Sequence, residues 1–343
     1  MTNPSNYVWG PYGAAGNNGF TYGSGTGLNW SSFQTLTPEG VNNTPGTMFV
    51  PTLSLGSNAI TLAPTMSIFD NSTQEFELDV YGLSGKASGS NHHALEYSSY
   101  FGAWTDILTS GDTDAYFWGV TTNAYDGALW GWTQGGTIYT NEAATLSGDG
   151  TILSQYTWSA GTGIAAGGPI GSAGSLWATT SGRCSGPPAG PCVEYFVPSG
   201  TFPGGAWDQL TTSGAEQITL DPSGGGSDIP PETLVLAEAL YALGSDGNVR
   251  QLTNPSAGAY YWIELSQNKC IGGGTISFYQ IAAKSGYVFG LDPSGTVFYY
   301  TSTNGCWTQV GSKKDFVASI ATGNDNYTAL WATDTNGQIW TAE

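Results

Sequence analysis

Two stretches near the end of the chain decide the fold, because each contains the same short motif. Residues 288–298 read VFGLDPSGTVF, and residues 330–340 read LWATDTNGQIW. Both begin with an aliphatic residue, an aromatic residue and then Gly or Ala, and both place a turn glycine, Gly295 or Gly337, seven residues after the aliphatic one. Gly and Asn suit tight hairpin turns because they accept positive φ at little cost. Each stretch is therefore predicted to be a β-hairpin.

The same motif occurs six times along the chain. The aliphatic residue that starts each copy is Val80, Leu129, Leu176, Leu240, Val288 or Leu330. After each of the first five hairpins, a tryptophan leads into a further strand; these are Trp104, Trp158, Trp207, Trp262 and Trp307. Short apolar strands precede several hairpins, most clearly at residues 279–282 and 317–321. Each copy therefore supplies three or four short strands.

The repeat predicts an all-β fold, a six-bladed β-propeller formed by a single domain of residues 1–343. The last copy lacks its tryptophan strand, and a matching element around Trp30 lies near the start of the chain. We therefore expect an N-terminal strand, about residues 27–35, to complete the C-terminal blade of residues 316–343 and close the ring. The small residue of each motif is expected on the crowded inner strands, and the repeat tryptophans are expected to pack between blades. A pair of β-sandwich domains is the competing architecture.

Composition excludes several classes of partner. The 343 residues carry 26 acidic and 7 basic side chains, which gives a formal net charge of −19. Such a chain offers no basic surface to the phosphates of a nucleic acid, and an anionic membrane would repel it. Its apolar runs are much shorter than the roughly 20 residues that span a bilayer. We therefore expect no nucleic-acid partner and no membrane insertion.

The four cysteines are predicted to form two disulfides. They lie as a close pair, Cys184 and Cys192, and a wider pair, Cys270 and Cys306. Four cysteines permit three connectivities, of which pairing of sequence neighbours is favoured here, and reduced cysteines remain the alternative. Disulfides persist in oxidising compartments, so the pattern favours an extracellular, secreted protein. The first residues, MTNPSNYVWG, do not have the pattern of a signal peptide.

The last three copies, residues 235–343, resemble tectonin-type propellers, and the likeness fades toward the N-terminus. In length and blade number the chain is also similar to the six-bladed fungal fucose-specific lectins. Both resemblances imply carbohydrate binding. The fucose sites of that second family depend on an inner-strand arginine, and none precedes the six aliphatic motif positions here. The fucose site is therefore not carried over, and any sugar site must be built differently.

Aromatic residues outside the repeat positions are the candidate ligand-binding residues, because sugars stack on aromatic faces. The candidates are Trp118, Tyr125, Trp132 and Tyr327, together with two loop carboxylates, Asp112 and Asp114. Trp132 lies two residues after Trp130 and so shares one strand face with it, which also fits structural packing. Asp112 and Asp114 are equally compatible with Ca²⁺ ligation or with plain solubilising charge. The adjacent histidines, His92 and His93, point to opposite sides of a strand and do not favour a metal site.

The sequence predicts no catalytic residues. Sialidase chemistry is excluded because it needs an arginine triad and the chain has two arginines, Arg183 and Arg250. Glycoside hydrolysis needs two carboxylates, and with so many acidic residues the sequence leaves this activity as an alternative. We therefore expect a lectin-like propeller that binds glycans or glycoproteins, needs no cofactor other than an optional Ca²⁺, and performs no catalysis. An extracellular structural or protein-interaction propeller is the first alternative, and a polysaccharide-active glycoside hydrolase or lyase is the second.

Overall fold

A computed structural model describes most of the second half of the chain and the strands of the first half. It covers residues 30–32, 62–70, 75–83, 92–98, 103–106, 108–109, 116–117, 119–123, 129–133, 137–140, 152–156, 161–166, 176–186, 188–199, 205–221, 239–253, 261–284, 286–311, 316–322, 330–334 and 339–342. The described residues contain no helix that is long and apolar enough to cross a membrane.

The described residues form β-strands. In the first half of the chain these are β1 (Trp30–Ser32), β2 (Leu62–Asp70), β3 (Glu75–Leu83), β4 (His92–Ser98), β5 (Ala103–Asp106), β6 (Leu108–Thr109), β7 (Tyr116–Phe117), β8 (Gly119–Thr122), β9 (Leu129–Trp132), β10 (Ile138–Thr140), β11 (Ile152–Tyr156) and β12 (Gly161–Ala166). In the second half they are β13 (Leu176–Cys184), β14 (Gly190–Pro198), β15 (Gly205–Gly214), β16 (Gln217–Asp221), β17 (Ala239–Leu243), β18 (Val249–Thr253), β19 (Tyr261–Glu264), β20 (Gln280–Lys284), β21 (Tyr287–Leu291), β22 (Val297–Thr301), β23 (Trp307–Gln309), β24 (Val317–Ala321), β25 (Leu330–Asp334) and β26 (Ile339–Ala342).

Within the described ranges, the strands pair into six sheets. Four sheets contain consecutive strands in chain order: β2–β5, β12–β15, β16–β19 and β20–β23. The sheet of β8–β11 has β6 added in parallel to its outer strand β11, and β7 pairs with β4. In the last sheet, β24, β25 and β26 are followed by β1.

Neighbouring sheets lie side by side, with the first strand of each sheet innermost. β8 contacts both β2 and β12, β16 contacts both β12 and β20, and β24 contacts both β20 and β2. Radial stacking of short antiparallel sheets covers the faces of each sheet with its neighbours, which is the architecture of a β-propeller. The chain is therefore an all-β protein with a β-propeller fold.

The repeated tripeptide lies in the second strand of each sheet, one strand out from the innermost. Its aromatic residues are buried where the structure describes their side chains, with Trp177 and Phe289 at 0% exposure. The small residue that follows makes room for an aromatic ring just ahead of the innermost strand. A Cβ on Gly290 would come within 2.5 Å of the Phe278 ring, and one on Gly131 within 2.6 Å of Phe117. In these two blades the small residue is needed because a side chain there would clash with the ring.

Two of the turn glycines, Gly247 and Gly295, join their hairpins to the next sheet. Gly247 and Gly295 have φ of 77° and 89°, a region that favours glycine. The carbonyl of Gly247 accepts a hydrogen bond from the N–H of Phe278, and the carbonyl of Gly295 accepts from Phe316 and Val317. These donors lie immediately before or at the start of the next innermost strand. The glycine that the sequence pattern indicates therefore shapes the turn and also positions the neighbouring blade.

The three repeat tryptophans whose side chains the structure describes, Trp207, Trp262 and Trp307, pack between neighbouring sheets, as expected. Trp207 contacts a buried cluster that includes Ile164 of its own sheet and Trp130 of the preceding one. Trp262 packs against a cluster shared by the β12–β15 and β16–β19 sheets. Trp307 belongs to the cluster shared by the β16–β19 and β20–β23 sheets and is 1% exposed. Trp158 lies outside the described residues.

Both predicted disulfides are present. Cys184 is bonded to Cys192 across the β13–β14 hairpin, and Cys270 is bonded to Cys306. The described residues include no free cysteine. The pairing of sequence neighbours is therefore confirmed.

Candidate functional site

Most of the predicted ligand-binding residues fall outside the described part of the chain. This holds for Trp118, Tyr125, Tyr327, Asp112 and Asp114. Their role in ligand binding stays a prediction.

Trp132 is the one predicted ligand residue that the structure describes. It occupies β9, opposite Gly119 of β8 and Ile138 of β10, and it packs against the buried cluster that contains Trp130. The indole lies over Gly119 so closely that a Cβ there would come within 2.1 Å of the ring. The Nε1 of Trp132 is buried and has no hydrogen-bond partner. This environment favours the packing role that the sequence left open for Trp132.

The structure describes the two histidines through their backbone pairing only. His92 and His93 start β4 and pair with Phe117 and Tyr116 of β7. Among the described residues, no three His, Cys, Asp or Glu side chains cluster in a way that could hold a metal ion.

The most distinctive polar group of the described surface is an ion-paired trio, which we call the arginine cluster: Arg250, Asp246 and Glu264. Asp246 lies in the β17–β18 turn, Arg250 in β18, and Glu264 in β19 directly opposite Arg250. The guanidinium donates from Nη1 to Oδ1 of Asp246 at 3.0 Å and from Nη2 to Oδ2 at 2.6 Å. Nη2 also donates to Oε2 of Glu264 at 2.7 Å. Two carboxylates therefore share one cation.

The members of the arginine cluster differ in exposure. The Arg250 side chain is 8% exposed, whereas those of Asp246 and Glu264 are 47% and 48% exposed. Hydrogen bonding to Arg250 holds the pKa of the Asp246 carboxyl below its usual range, and Arg250 keeps a raised pKa for the same reason. A ligand approaching this place therefore meets the two half-exposed carboxyl groups rather than the guanidinium.

The two faces of the β18–β19 pair have different characters. Arg250, Leu252, Trp262 and Glu264 share one face, because Leu252 lies opposite Trp262 and Arg250 opposite Glu264. This face packs toward the neighbouring β12–β15 sheet through Trp262 and Leu252. The Nε1 of Trp262 is buried there and has no hydrogen-bond partner among the described residues. A buried indole donor without an acceptor is costly.

The other face of β19 exposes large apolar side chains. Tyr261 is 47% exposed and Ile263 is 45% exposed, and both point to the same side of this outermost strand. No strand pairs with the outer edge of β19 in the described part of the chain. An outer strand that combines exposed apolar residues with an adjacent charged cluster is a plausible binding edge.

Sequence reasoning missed the arginine cluster. A signal was available, because Arg250 is one of only two arginines and Asp246 stands four residues before it in the turn sequence SDGN. The other arginine, Arg183, pairs with Glu216 at 3.0 Å, but its side chain is 66% exposed. Glu264 could not be found from spacing, because its place opposite Arg250 depends on the register of β19.

Comparison with known proteins does not identify a family. No family model matches the chain. No curated protein matches it either. Among solved structures, it is similar to human WBSCR16, with 10% identity over 77% of this chain and 69% of that one and a TM-score of 0.42. It is also similar to the Cps50 (Swd1) β-propeller domain of Myceliophteria thermophila, with 11% identity over 82% and 99% of the two chains and a TM-score of 0.44. A third similar structure is yeast RCC1 (Prp20) bound to Kap60, with 11% identity over 92% and 78% and a TM-score of 0.45.

Proposed function

We propose that this chain is a non-catalytic recognition propeller that binds a protein partner through the outer part of the β16–β19 blade. One observation carries the proposal: Tyr261 and Ile263, both nearly half exposed, stand side by side on the outermost strand of that blade. Exposed large apolar side chains that include an aromatic residue are typical of protein-interaction surfaces. The expected protein-interaction alternative therefore becomes the main proposal.

We further propose that the propeller has six blades and that β1 closes the ring. Two observations support this proposal. The innermost strands of the first and last described blades, β2 and β24, contact one another. β1 pairs antiparallel with β26, with Trp30 opposite Ala342 and Ser32 opposite Trp340. A blade that contains both ends of the chain leaves no open edge between the first and last repeats.

Secretion is also part of the proposal. The two disulfides are stable in an oxidising compartment, and a strongly acidic chain of low charge density suits an extracellular setting. This setting would bring the propeller into contact with extracellular proteins and glycoproteins.

Carbohydrate recognition, as implied by the tectonin-type and fungal-lectin resemblances, is the second candidate. The arginine cluster favours it, because half-exposed carboxylates held by an arginine can accept hydrogen bonds from sugar hydroxyls. Trp118, Tyr125, Tyr327, Asp112 and Asp114 remain candidates for the same role, and Ca²⁺ remains an optional ligand of the two aspartates.

Parallel screening of the full chain on a protein array and a glycan array separates these functions. The main proposal expects binding to a protein ligand that free sugars do not displace. Binding that is confined to glycans and is competed by one free sugar would transfer the function to the second candidate. Release of reducing ends from a polysaccharide would contradict both candidates and favour the hydrolase or lyase alternative.

A further inference from the structure

The loop between β19 and β20 covers the outer edge of the next blade. Residues 266–276 form this loop, which we call the strap. Its Asn268 carbonyl accepts from the N–H of Trp307 at 2.9 Å, and its Cys270 N–H donates to the Trp307 carbonyl at 2.8 Å. The bridge between Lys269 and Trp307 is parallel. The strap therefore adds an extended segment to the edge of β23.

The strap also satisfies the indole of Trp307. The Nε1 of Trp307 donates to the carbonyl of Ser266 at 2.7 Å. The disulfide between Cys270 and Cys306 holds the strap beside the start of β23. Lys269 extends over the ring of Phe298, with its Nζ 5.2 Å from the ring centre. The strap thus contacts the backbone of Trp307, the indole of Trp307 and the ring of Phe298.

Trp262 occupies in β19 the place that Trp307 occupies in β23. Trp262 lies opposite Leu252, and Trp307 lies opposite Tyr300, at the same step of the third strand. Three residues later, Leu265 and Val310 donate to Val249 and Val297, respectively, in the same way. Because edge residues alternate in direction, Trp262 points its backbone N–H and C=O away from the sheet, as Trp307 does.

In the described part of the chain, no segment covers the outer edge of β19 as the strap covers β23. β15 ends at Gly214 and β16 begins at Gln217, so the connection that precedes this blade is two residues long. The indole N–H of Trp262 accordingly lacks the acceptor that Ser266 gives to Trp307. Tyr261 and Ile263, on either side of it, are the half-exposed apolar residues of this edge.

We propose that an extended peptide segment of a partner protein adds to β19 in parallel, as the strap adds to β23, and that it carries a Lys or Arg facing the arginine cluster. This inference rests on the proposed protein-binding function and names its site and ligand class. In the template, Lys269 lies over Phe298, which stands opposite Gln309. The corresponding residue of the other blade is Arg250, opposite Glu264.

Charge complementarity selects the basic residue. The guanidinium of Arg250 is nearly buried, while the carboxylates of Asp246 and Glu264 are about half exposed. A cation at the Lys269 position of a docked segment would meet these two carboxylates. An acidic residue there would be repelled by them and by the chain's net charge of −19.

A peptide copied from the strap tests the proposal directly. The probe has the sequence of residues 265–273 with Ser in place of Cys270, carries a fluorophore and is titrated into the full chain. The strap already occupies β23, and no segment of the described chain occupies the edge of β19, so β19 is the edge at which we expect the probe to dock. We expect saturable binding that weakens about three- to fivefold when the Lys of the probe is changed to Glu, as for a half-exposed charge pair. The Glu264→Lys variant should reverse this preference between the two probes.

Backbone methylation of the probe gives a matched control. Methylation of the amide that follows the Lys removes the donor corresponding to Cys270 N–H, and binding should be lost. Methylation of the amide of the Lys itself should be tolerated, because in a parallel bridge that N–H points away from the edge. On the protein side, Ile263→Ser should weaken binding, whereas Ile271→Ser, a change at the 82% exposed tip of the strap, should not.

The outcomes separate this inference from the broader proposal. No saturable binding at millimolar probe, or binding that is indifferent to both methylations and to Ile263→Ser, would overturn docking at β19. A natural protein ligand that protects amides elsewhere from hydrogen exchange, and leaves residues 261–264 unprotected, would overturn it while the recognition function stands. If the full chain binds glycans and no protein, the proposed protein-recognition function is overturned. The probe titration still decides separately whether β19 accepts a peptide.

Discussion

Gln280 joins two innermost strands by bonding both polar groups of the Ile320 backbone. Its Oε1 accepts from the N–H of Ile320 at 3.0 Å, and its Nε2 donates to the Ile320 carbonyl at 3.0 Å. Gln217 repeats the arrangement one blade earlier, with Ile281 as its partner at 2.7 and 3.1 Å. A side-chain amide thus takes the place of a strand in joining neighbouring blades.

Replacing Gln280 with Leu should lower the free energy of unfolding by about 2–3 kcal/mol, because the N–H of the buried Ile320 loses its acceptor. Gln217→Leu should have a similar cost. Urea unfolding, monitored by tryptophan fluorescence, measures both. A loss below about 0.5 kcal/mol in each variant would show that water replaces the amide without penalty, contrary to this account.

Gly247→Ala should destabilise the protein more than Gly286→Ala. The two glycines have nearly the same φ, 77° and 79°, so the backbone strain of about 1–2 kcal/mol is shared. A Cβ at Gly247 would also come within 2.7 Å of the Cβ of Ser277, whereas one at Gly286 meets nothing within 4 Å. We expect thermal or urea unfolding to show an extra loss of about 1 kcal/mol or more at Gly247. Equal losses would indicate that the Ser277 segment moves freely.

Arg250→Met should destabilise the protein in a pH-dependent way. Pairing with Arg250 lowers the pKa of Asp246, so the stability that it contributes is present at neutral pH and is lost as pH falls through that lowered pKa. The difference between native and variant stability should therefore shrink at acidic pH, below the usual range of a carboxyl group. The matched control is Arg183→Met, where the ion pair is exposed and should contribute at most about 1 kcal/mol. A difference that stays constant across the acidic range would contradict the role of Asp246.

The two disulfides should stabilise the fold unequally. Cys184 and Cys192 are 8 residues apart in sequence, and Cys270 and Cys306 are 36 apart. In the chain-entropy model these loops correspond to about 2.5 and about 4 kcal/mol. Double Ser variants of each pair, compared by urea unfolding, should show the larger loss for Cys270 and Cys306. Thiol titration of the unsubstituted chain, unfolded without a reductant, should detect no free thiol. Reactive thiols in that sample would contradict the presence of the disulfides.

Local signals in the sequence were enough to predict the hairpins and the β-propeller class. Gly247 and Gly295 lie in turns because only a residue that tolerates positive φ fits there, and such a requirement can be recognised from the sequence alone. Trp307 could be assigned to the last strand of a blade because an unusually large residue recurs at one place in each copy. These features depend on neighbours within a few residues.

Features that depend on contacts between blades were not predictable. The amide of Gln280 reaches Ile320, which is 40 residues away, and no periodic pattern marks that distance. The strap of residues 266–276 reads as an ordinary polar loop, although it covers the edge of β23. Glu264 became part of the arginine cluster only through the register of β19 with β18. A single sequence does not show which distant residues meet when the loops between them vary in length.

The close packing of Trp132 over Gly119 links the two positions in evolution. The indole fills the space that a side chain on the facing strand would need, so Gly119 cannot gain a side chain while Trp132 keeps its ring. In homologues of this chain, any residue larger than glycine at position 119 should be accompanied by a smaller one at position 132. Such a paired exchange would take two steps. Trp132 is first replaced by a smaller residue, and Gly119 is then replaced by a larger one.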